Sequence, residues 1–167
     1  MNDPTVRVSY LELTQRPAPA RAHPGDERIS REQLSVSEYL DLYGRVGEPL
    51  RWDQRHKMPR AELLRLLESQ RSALYILRGN DGQALGLCEF ERGAADIELK
   101  NFGLLAMAQG KGLGSWLLRT ALQSEWERQP GRIWLHTDNW DHPAAMRVYA
   151  SAGFRVYRVR EEPAADL

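Results

Sequence analysis

The sequence predicts a mixed α/β fold in which a mostly antiparallel sheet is flanked by helices. Three strand-like segments joined by short turns lie in the middle of the chain, and such turns predict antiparallel hairpins. Helical and strand-like segments then alternate in the last third, which indicates a βαβ crossover. The length of 167 residues fits one domain with its own hydrophobic core.

The chain is predicted to begin with a strand and an irregular connection. Between Thr5 and Leu13, apolar side chains alternate with polar ones, which is the two-residue period of a strand. Residues 14–28 are rich in proline, alanine and arginine, so we expect an irregular segment that continues to about residue 34.

Two helices are predicted next. Ser35 and Glu38 have the spacing of a capping box, so the first helix begins there and ends near Gly44 or Gly47. Pro59 lies in the predicted first turn of the second helix, where proline is tolerated. A broad buried face of this helix is predicted by four leucines: Leu63, Leu64, Leu66 and Leu67.

The hydrophobic period then changes to that of strands. Two strands are predicted at Ser72–Arg78 and Gln83–Arg92, joined by a glycine-rich turn at residues 79–82. A second turn at residues 93–94 leads into a third strand from Ala95 to about Leu105. These three strands form an antiparallel meander.

The last third is predicted to alternate between helices and strands. Its breakers are Pro130-Gly131 and the C-cap glycine Gly153. The predicted elements are a helix from about Gly112 to Arg128, a strand at Arg132–Thr137, a helix from about His142 to Ala152, and a strand at Phe154–Val159.

Charge and composition exclude several classes of function. Lysine plus arginine number 23 and aspartate plus glutamate number 23, and this balance argues against nucleic-acid binding. Met1–Tyr10 has no signal-peptide pattern, and no apolar run approaches the roughly 20 residues of a membrane span. We therefore expect a cytoplasmic protein without membrane contact. Cys88, the single cysteine, is interpreted as a buried thiol, and the four scattered histidines predict no metal site.

The most informative segment is the glycine cluster Gln109–Ser115. Gly110, Gly112 and Gly114 alternate before an amphipathic helix, so the backbone can approach a ligand closely at the positive end of the helix dipole. This arrangement is typical of phosphate or pyrophosphate binding. The spacing matches neither a P-loop nor a dinucleotide-binding fingerprint.

The cluster instead has the pattern Q/R-x-x-G-x-G/A, and it resembles the pyrophosphate loop of the GNAT acyltransferase superfamily. A second segment resembles the family pattern N-x-x-A-x-x-x-Y-x-x-x-G-F through Ala145, Tyr149, Gly153 and Phe154, with His142 in place of asparagine. The resemblance covers roughly residues 72–160. It implies that residues 1–167 are one GNAT-like domain in which a parallel pair of strands splays apart.

The resemblance also implies a cofactor site for acetyl-CoA as co-substrate, without a metal. The pantetheine arm is expected to lie between the splayed strands, along the backbone of Phe102, Leu104 and Leu105, with an N–H near Leu104 polarising the thioester carbonyl. His142 replaces the asparagine that contacts the arm, or faces solvent. The pyrophosphate is expected at the amides of Gln109, Gly110, Lys111, Gly112, Leu113, Gly114 and Ser115.

The implied chemistry is direct attack of an amine on the thioester. Tyr149 matches the tyrosine that protonates the departing thiolate in many relatives. Glu98, eleven residues before Gln109, lies where some members carry their general base. His136, or a water chain to either group, is an alternative base.

The acceptor side is expected near residues 43–58, where Trp52 is accompanied by Arg51, Arg55, His56 and Lys57. They predict either recognition of an acidic acceptor or, as we interpret them, a solvated basic loop. Trp52 and Trp140 are candidate pocket walls. The leading hypothesis is an N-acetyltransferase for a small-molecule or peptide amine, as a monomer or homodimer. The alternative is a non-catalytic acyl-CoA binding or sensing domain.

Overall fold

One seven-stranded sheet, in the order β2-β3-β4-β5-β6-β1-β7, organises the computed structural model, which describes residues 4–164. All neighbouring strands are antiparallel except β5 and β6, which are parallel. The strands are β1 (Thr5–Leu13), β2 (Arg28–Arg31), β3 (Ser72–Arg78), β4 (Ala84–Arg92), β5 (Ile97–Leu104), β6 (Ile133–Asp138) and β7 (Arg155–Pro163). The predicted fold class is confirmed.

Five α-helices cover the two faces of this sheet. They are α1 (Val36–Gly47), α2 (Gln54–Lys57), α3 (Arg60–Glu68), α4 (Leu113–Trp126) and α5 (Ala145–Ala152). Side chains from α1 and α3 form one hydrophobic core with the sheet, and side chains from α4 and α5 form the other. Within residues 4–164, none of the helices combines the length and the apolar character that crossing a bilayer requires.

Local sequence signals placed most of the elements correctly. The capping box is present: the Ser35 hydroxyl accepts the Glu38 N–H and the Glu38 carboxylate accepts the Ser35 N–H. Gly153 ends α5 with a φ of 110°, in the left-handed region that favours glycine. Cys88 is completely buried in β4, as predicted.

Several boundaries and one buried face were wrong. The irregular connection ends in a short strand, β2, which pairs with β3. Helix α5 begins at Ala145 rather than His142, and β7 continues past Val159 to Pro163. Of the four leucines in α3, Leu63 and Leu67 are buried but Leu64 is 43% exposed, so the buried face is narrow.

The parallel pair β5–β6 separates soon after it forms. In the described chain, Ile97 pairs with Ile133 and Glu98 with Trp134, and no later pair follows. On its other edge β5 continues along β4 to Leu104, with a register shift that leaves Lys100 as an extra residue. The expected splayed pair is therefore present, and the gap opens beyond Glu98.

A buried charge cluster fixes α4 to the sheet. Glu125 is fully buried on α4, and Arg92 of β4 donates to its two oxygens at 2.8 and 2.7 Å. The Tyr75 hydroxyl on β3 donates to the same carboxylate at 2.8 Å. Burial of an ionised carboxylate is tolerated because these donors replace water.

Replacing Glu125 with alanine is expected to lower the free energy of unfolding by about 3–5 kcal/mol, because Arg92 loses the buried carboxylate that compensates its charge. Urea denaturation followed by circular dichroism measures this. The matched control is Glu127→Ala: Glu127 pairs with Arg16 at the surface, where both side chains are about two-thirds exposed, so stability should hardly change. Equal losses in the two variants would contradict the assigned role of the cluster.

Candidate active site

The glycine loop has the backbone geometry that its sequence predicts. Gly110 and Gly112 have φ angles of 77° and 79°, and a Cβ atom on either would meet no atom within 4 Å. Gly112 is the N-cap of α4, and the first helical bond runs from the Trp116 N–H to its carbonyl. The N–H groups before Trp116 therefore precede the helical bonding and stay available to an anionic guest.

Basic side chains surround this loop. A shallow cavity of about 380 Å³ adjoins the start of α4. Arg21 reaches it from the irregular connection, and the His23 ring of the same segment stacks on Trp116 at 4.5 Å. Arg119, one helical turn beyond Ser115, supplies a second guanidinium. The connection thus adds positive charge beside a loop whose backbone can bind an anion.

Gln109 and His142 form a bridge across the gap between the strands. The Gln109 Nε2 group donates to the Leu104 carbonyl at 3.1 Å, and the Gln109 Oε1 atom lies 3.1 Å from His142 Nε2. His142 Nδ1 accepts the Ala144 N–H at 3.0 Å, so Nε2 carries the proton and donates to Gln109. His142 therefore contacts Gln109 of the glycine loop and is also exposed to solvent.

The three residues expected along the cofactor arm differ in which edge of β5 their backbone groups face. The Leu105 N–H donates to the Leu85 carbonyl, so it faces β4. Alternation turns the Leu104 and Phe102 backbone groups toward the open edge, in agreement with the Leu104–Gln109 contact. Leu105 instead buries its side chain in the core beneath α1.

A cavity of about 330 Å³ lies where β5 and β6 have separated. Its walls come from β5, from β6 and the turn after it, and from the segment between α1 and α3. Trp52 and Trp140, the two tryptophans expected as walls, both line it. So do Phe102, His136, Asp141 and Tyr149.

Tyr149 reaches this cavity from α5. Its side chain packs between the Phe102 and Phe154 rings, with ring centroids 6.0 Å away in each case. Burial raises the pKa of the Tyr149 hydroxyl well above its usual value, and the nearby Asp141 charge adds to the shift. The hydroxyl is therefore protonated at neutral pH and is able to donate.

Asp141 is a site residue that the sequence analysis missed. Its carboxylate accepts the Thr137 hydroxyl at 2.5 Å and the His142 N–H at 2.7 Å. Burial raises the pKa of the carboxyl, against the lowering effect of the Thr137 hydrogen bond. A Thr-x-x-x-Asp spacing directly after a strand was the available signal, and it is a weak one.

Glu98 lies just outside the cavity lining. Its Oε1 atom is 3.5 Å from Lys100 Nζ and 3.9 Å from His136 Nε2. Lys100 and His136 both line the cavity, whereas Glu98 does not. The two proposed bases therefore form one connected group.

The basic loop is not uniformly solvated, in contrast to the interpretation from sequence. Arg55 of α2 is buried, and its Nη2 atom donates to Glu89 at 2.9 Å. The Glu89 carboxylate also accepts Tyr39 at 2.6 Å and the Asn101 side-chain amide at 2.9 Å. Burial next to this carboxylate raises the pKa of Tyr39. Arg55 consequently holds the cavity wall in place and is not free to bind an acceptor.

Comparison with known proteins assigns this architecture. A family model described as the acetyltransferase (GNAT) family matches residues 36–154. A GCN5-related N-acetyltransferase from Sphaerobacter thermophilus superposes with a TM-score of 0.66 at 19% identity, over 95% of this chain and 50% of that one. A GCN5-related N-acetyltransferase from Kribbella flavida gives 0.63 at 19%, over 98% and 62%.

One similar structure is described as a tandem protein. A tandem GNAT protein from the clavulanic acid biosynthesis pathway superposes with a TM-score of 0.65 at 18% identity, over 96% of this chain and 54% of that one. The chain thus spans about half to three-fifths of the length of these three structures. Among curated proteins, none matches the chain.

Replacing Thr137 with valine is expected to raise the pKa of Asp141 further, because the lost hydroxyl favours the ionised carboxylate. Carboxyl carbon chemical shifts followed through a pH titration measure the change. Thr137→Ser retains the hydroxyl and serves as the control. A fall in the pKa of Asp141 in the valine variant would contradict the assigned contact.

Proposed function

The chain belongs to the GNAT acetyltransferase family, and from this we propose that residues 1–167 act as one domain that transfers an acetyl group from acetyl-CoA to a primary amine of a small molecule or peptide. One observation carries the proposal: the gap between β5 and β6 joins the glycine loop to the cavity that contains Tyr149. A nucleotide-bearing thioester spanning this gap would present its acyl end to the cavity.

The residues present fit acetyl-CoA. The open space at Gly110 and Gly112, where a Cβ atom would project, leaves room for a pyrophosphate against the backbone. The remaining loop residues proposed to bind it are Gln109, Lys111, Leu113, Gly114 and Ser115. The open-edge backbone groups of Phe102 and Leu104 fit the amides of the pantetheine arm.

Leu105 and His142, two of the residues proposed at the cofactor site, are proposed to act indirectly. Leu105 contributes through its buried side chain, since its N–H is already bonded to Leu85. His142 contributes by holding Gln109 at the edge of the gap. We propose that Leu105 and His142 support the site of the pantetheine arm without hydrogen-bonding to it. The direct backbone contacts are proposed for Phe102 and Leu104.

When bound, acetyl-CoA supplies a thioester whose carbonyl carbon is attacked by the neutral amine, with release of the CoA thiolate. The Tyr149 hydroxyl is proposed to donate its proton to that sulfur, and its raised pKa keeps the proton in place until the thiolate forms. An N–H near Leu104 on the open edge of β5 is proposed to polarise the carbonyl oxygen.

The amine must lose a proton before or during attack. We assign the base role to Glu98, with His136 or a water chain carrying the proton from the cavity. Two observations support this order: His136 lines the cavity, and Glu98, which does not, lies 3.9 Å from His136 Nε2. Lys100 Nζ lies 3.5 Å from the Glu98 carboxylate and completes this group.

Replacing Gly112 with alanine is expected to weaken acetyl-CoA binding at least tenfold, because the new methyl group occupies the space proposed for the pyrophosphate. Isothermal titration calorimetry with acetyl-CoA measures this. Gly82→Ala is the matched control: Gly82 has a φ of 84° and equally open surroundings in the β3–β4 turn. Both variants should lose about 1–2 kcal/mol of stability. Equal acetyl-CoA affinity in the two, or stabilisation of the protein by ATP or NADH but not acetyl-CoA, would overturn the proposal.

Replacing Tyr149 with phenylalanine is expected to lower kcat about 100-fold, with unchanged affinity for acetyl-CoA, because the proton donor to the thiolate is lost. Glu98→Gln should lower kcat in the same assay of thiol release across a panel of amines. Tyr157→Phe, at a half-exposed tyrosine of β7, is the control. Wild-type turnover in both site variants would refute the assigned roles, and binding without any turnover would favour an acyl-CoA sensor.

A further inference from the structure

Arg51 has an unusual backbone conformation at the wall of the cavity. Its φ of 61° lies in the left-handed region, which is uncommon for residues other than glycine. The guanidinium carbon lies 4.6 Å from the centroid of the Trp140 ring, a cation–π contact. Arg51 belongs to the segment between α1 and α2 and Trp140 to the turn after β6, so the contact joins two walls of the cavity.

Trp140 is itself held in position. The backbone N–H of Trp140 donates to the Asp138 carboxylate at 2.7 Å, and the backbone N–H of Asp141 donates to the Asp138 carbonyl at 3.2 Å. The backbone that carries the ring is thus held in a tight turn, and the ring packs against the guanidinium. A side chain as flexible as arginine gains a defined place at the cavity in this way.

The other cations around the cavity already have carboxylate partners. Lys57 pairs with Asp53, Lys100 lies 3.5 Å from Glu98, and Arg55 is buried against Glu89. Among residues 4–164, no carboxylate forms an ion pair with Arg51. Within the described residues, Arg51 therefore brings to the cavity lining a positive charge that no ion pair occupies.

The opposite charge is present on the turn after β6. Asp138 and Asp141 line the same cavity, and Asp141 lies close enough to Tyr149 to raise the pKa of its hydroxyl. An amine that approaches Tyr149 thus meets carboxylates, which attract its ammonium form before the proton is lost. The cavity presents groups of both signs to one small guest.

We propose that the acceptor is an amine that also carries a carboxylate, such as an amino acid or a short peptide, and that Arg51 binds this carboxylate. The inference rests on the proposed acetyl transfer. A guanidinium stacked on a ring keeps its N–H edge free, and two parallel N–H groups match a carboxylate in a bidentate pair. A cavity of about 330 Å³ suits a small zwitterion.

The test compares pairs of acceptors that differ only in charge. Thiol release from acetyl-CoA is measured with α-amino acids and with the corresponding carboxamides, and kcat/KM is expressed as the ratio within each pair. Replacing Arg51 with glutamine is expected to lower this ratio at least tenfold, because the charge-assisted hydrogen bonds are lost. Arg51→Lys should retain part of the preference. The amino acid and its carboxamide differ in amine basicity, and this difference cancels when the ratio for a variant is divided by the ratio for the wild type.

Arg45→Gln is the matched control, since Arg45 lies on the exposed surface of α1 and pairs with Asp41. Its ratio should equal that of the wild type. Calorimetric titration of N-acetylated amino acids and their amides adds a readout that needs no turnover: the wild type should bind the acid more tightly, and Arg51→Gln should not.

Several outcomes would overturn the inference. An unchanged ratio in Arg51→Gln, or a wild type that prefers phosphoethanolamine to every amino acid, removes the carboxylate from the acceptor class while acetyl transfer stands. Absence of thiol release from the wild type with any amine overturns the proposed function and the acceptor class together. The two failures are therefore distinguishable in one assay.

Discussion

Parallel hydrogen bonding between β5 and β6 covers the pairs Ile97–Ile133 and Glu98–Trp134, and past them the two strands separate. Each strand stays tied on its far side, β5 to β4 and β6 to β1, so the gap does not collapse. The extra residue at Lys100 bends β5 at the point of separation. In the interior of a sheet, backbone N–H and C=O groups normally bond to the neighbouring strand. Because β5 and β6 separate, some of these groups face the gap instead.

Two buried charge clusters attach helical segments to the two faces of the sheet. Glu89 binds Arg55 and Tyr39 on the α1 face, and Glu125 binds Arg92 and Tyr75 on the α4 face. Each cluster joins a helical segment to the central strands through several charge-assisted hydrogen bonds. Helix α4, which follows the glycine loop, and the segment around α2 are thus both attached to β4. Catalysis in such a site requires this rigidity, because it depends on positioning.

The sequence predicted those features that depend on neighbours along the chain. The Ser35–Glu38 capping box, the C-cap glycine Gly153 and the turn at 79–82 are local signals, and the structure agrees with each of them. The motif around Tyr149 identified the family, which the comparisons confirm. Roles for Glu98, Tyr149 and the cofactor contacts remain predictions.

Features that depend on residues far apart in the sequence were not predicted. Arg55 is buried because it donates to Glu89, which lies far along the chain. The residues next to Arg55 in the sequence are typical of a solvated loop and do not indicate this burial. Strand β2 has four residues and too few alternations to show a period. Asp141 gains its raised pKa from burial among groups brought together by the fold.

The central claim is that the gap between β5 and β6 receives the thioester. A crystal structure of the protein with acetyl-CoA tests it most directly. The account predicts a pyrophosphate on the amides of the loop at 110–115, a pantetheine arm along the backbone of Phe102 and Leu104, and a sulfur atom within hydrogen-bonding distance of the Tyr149 hydroxyl. Acetyl-CoA bound elsewhere, with the gap empty, would contradict it.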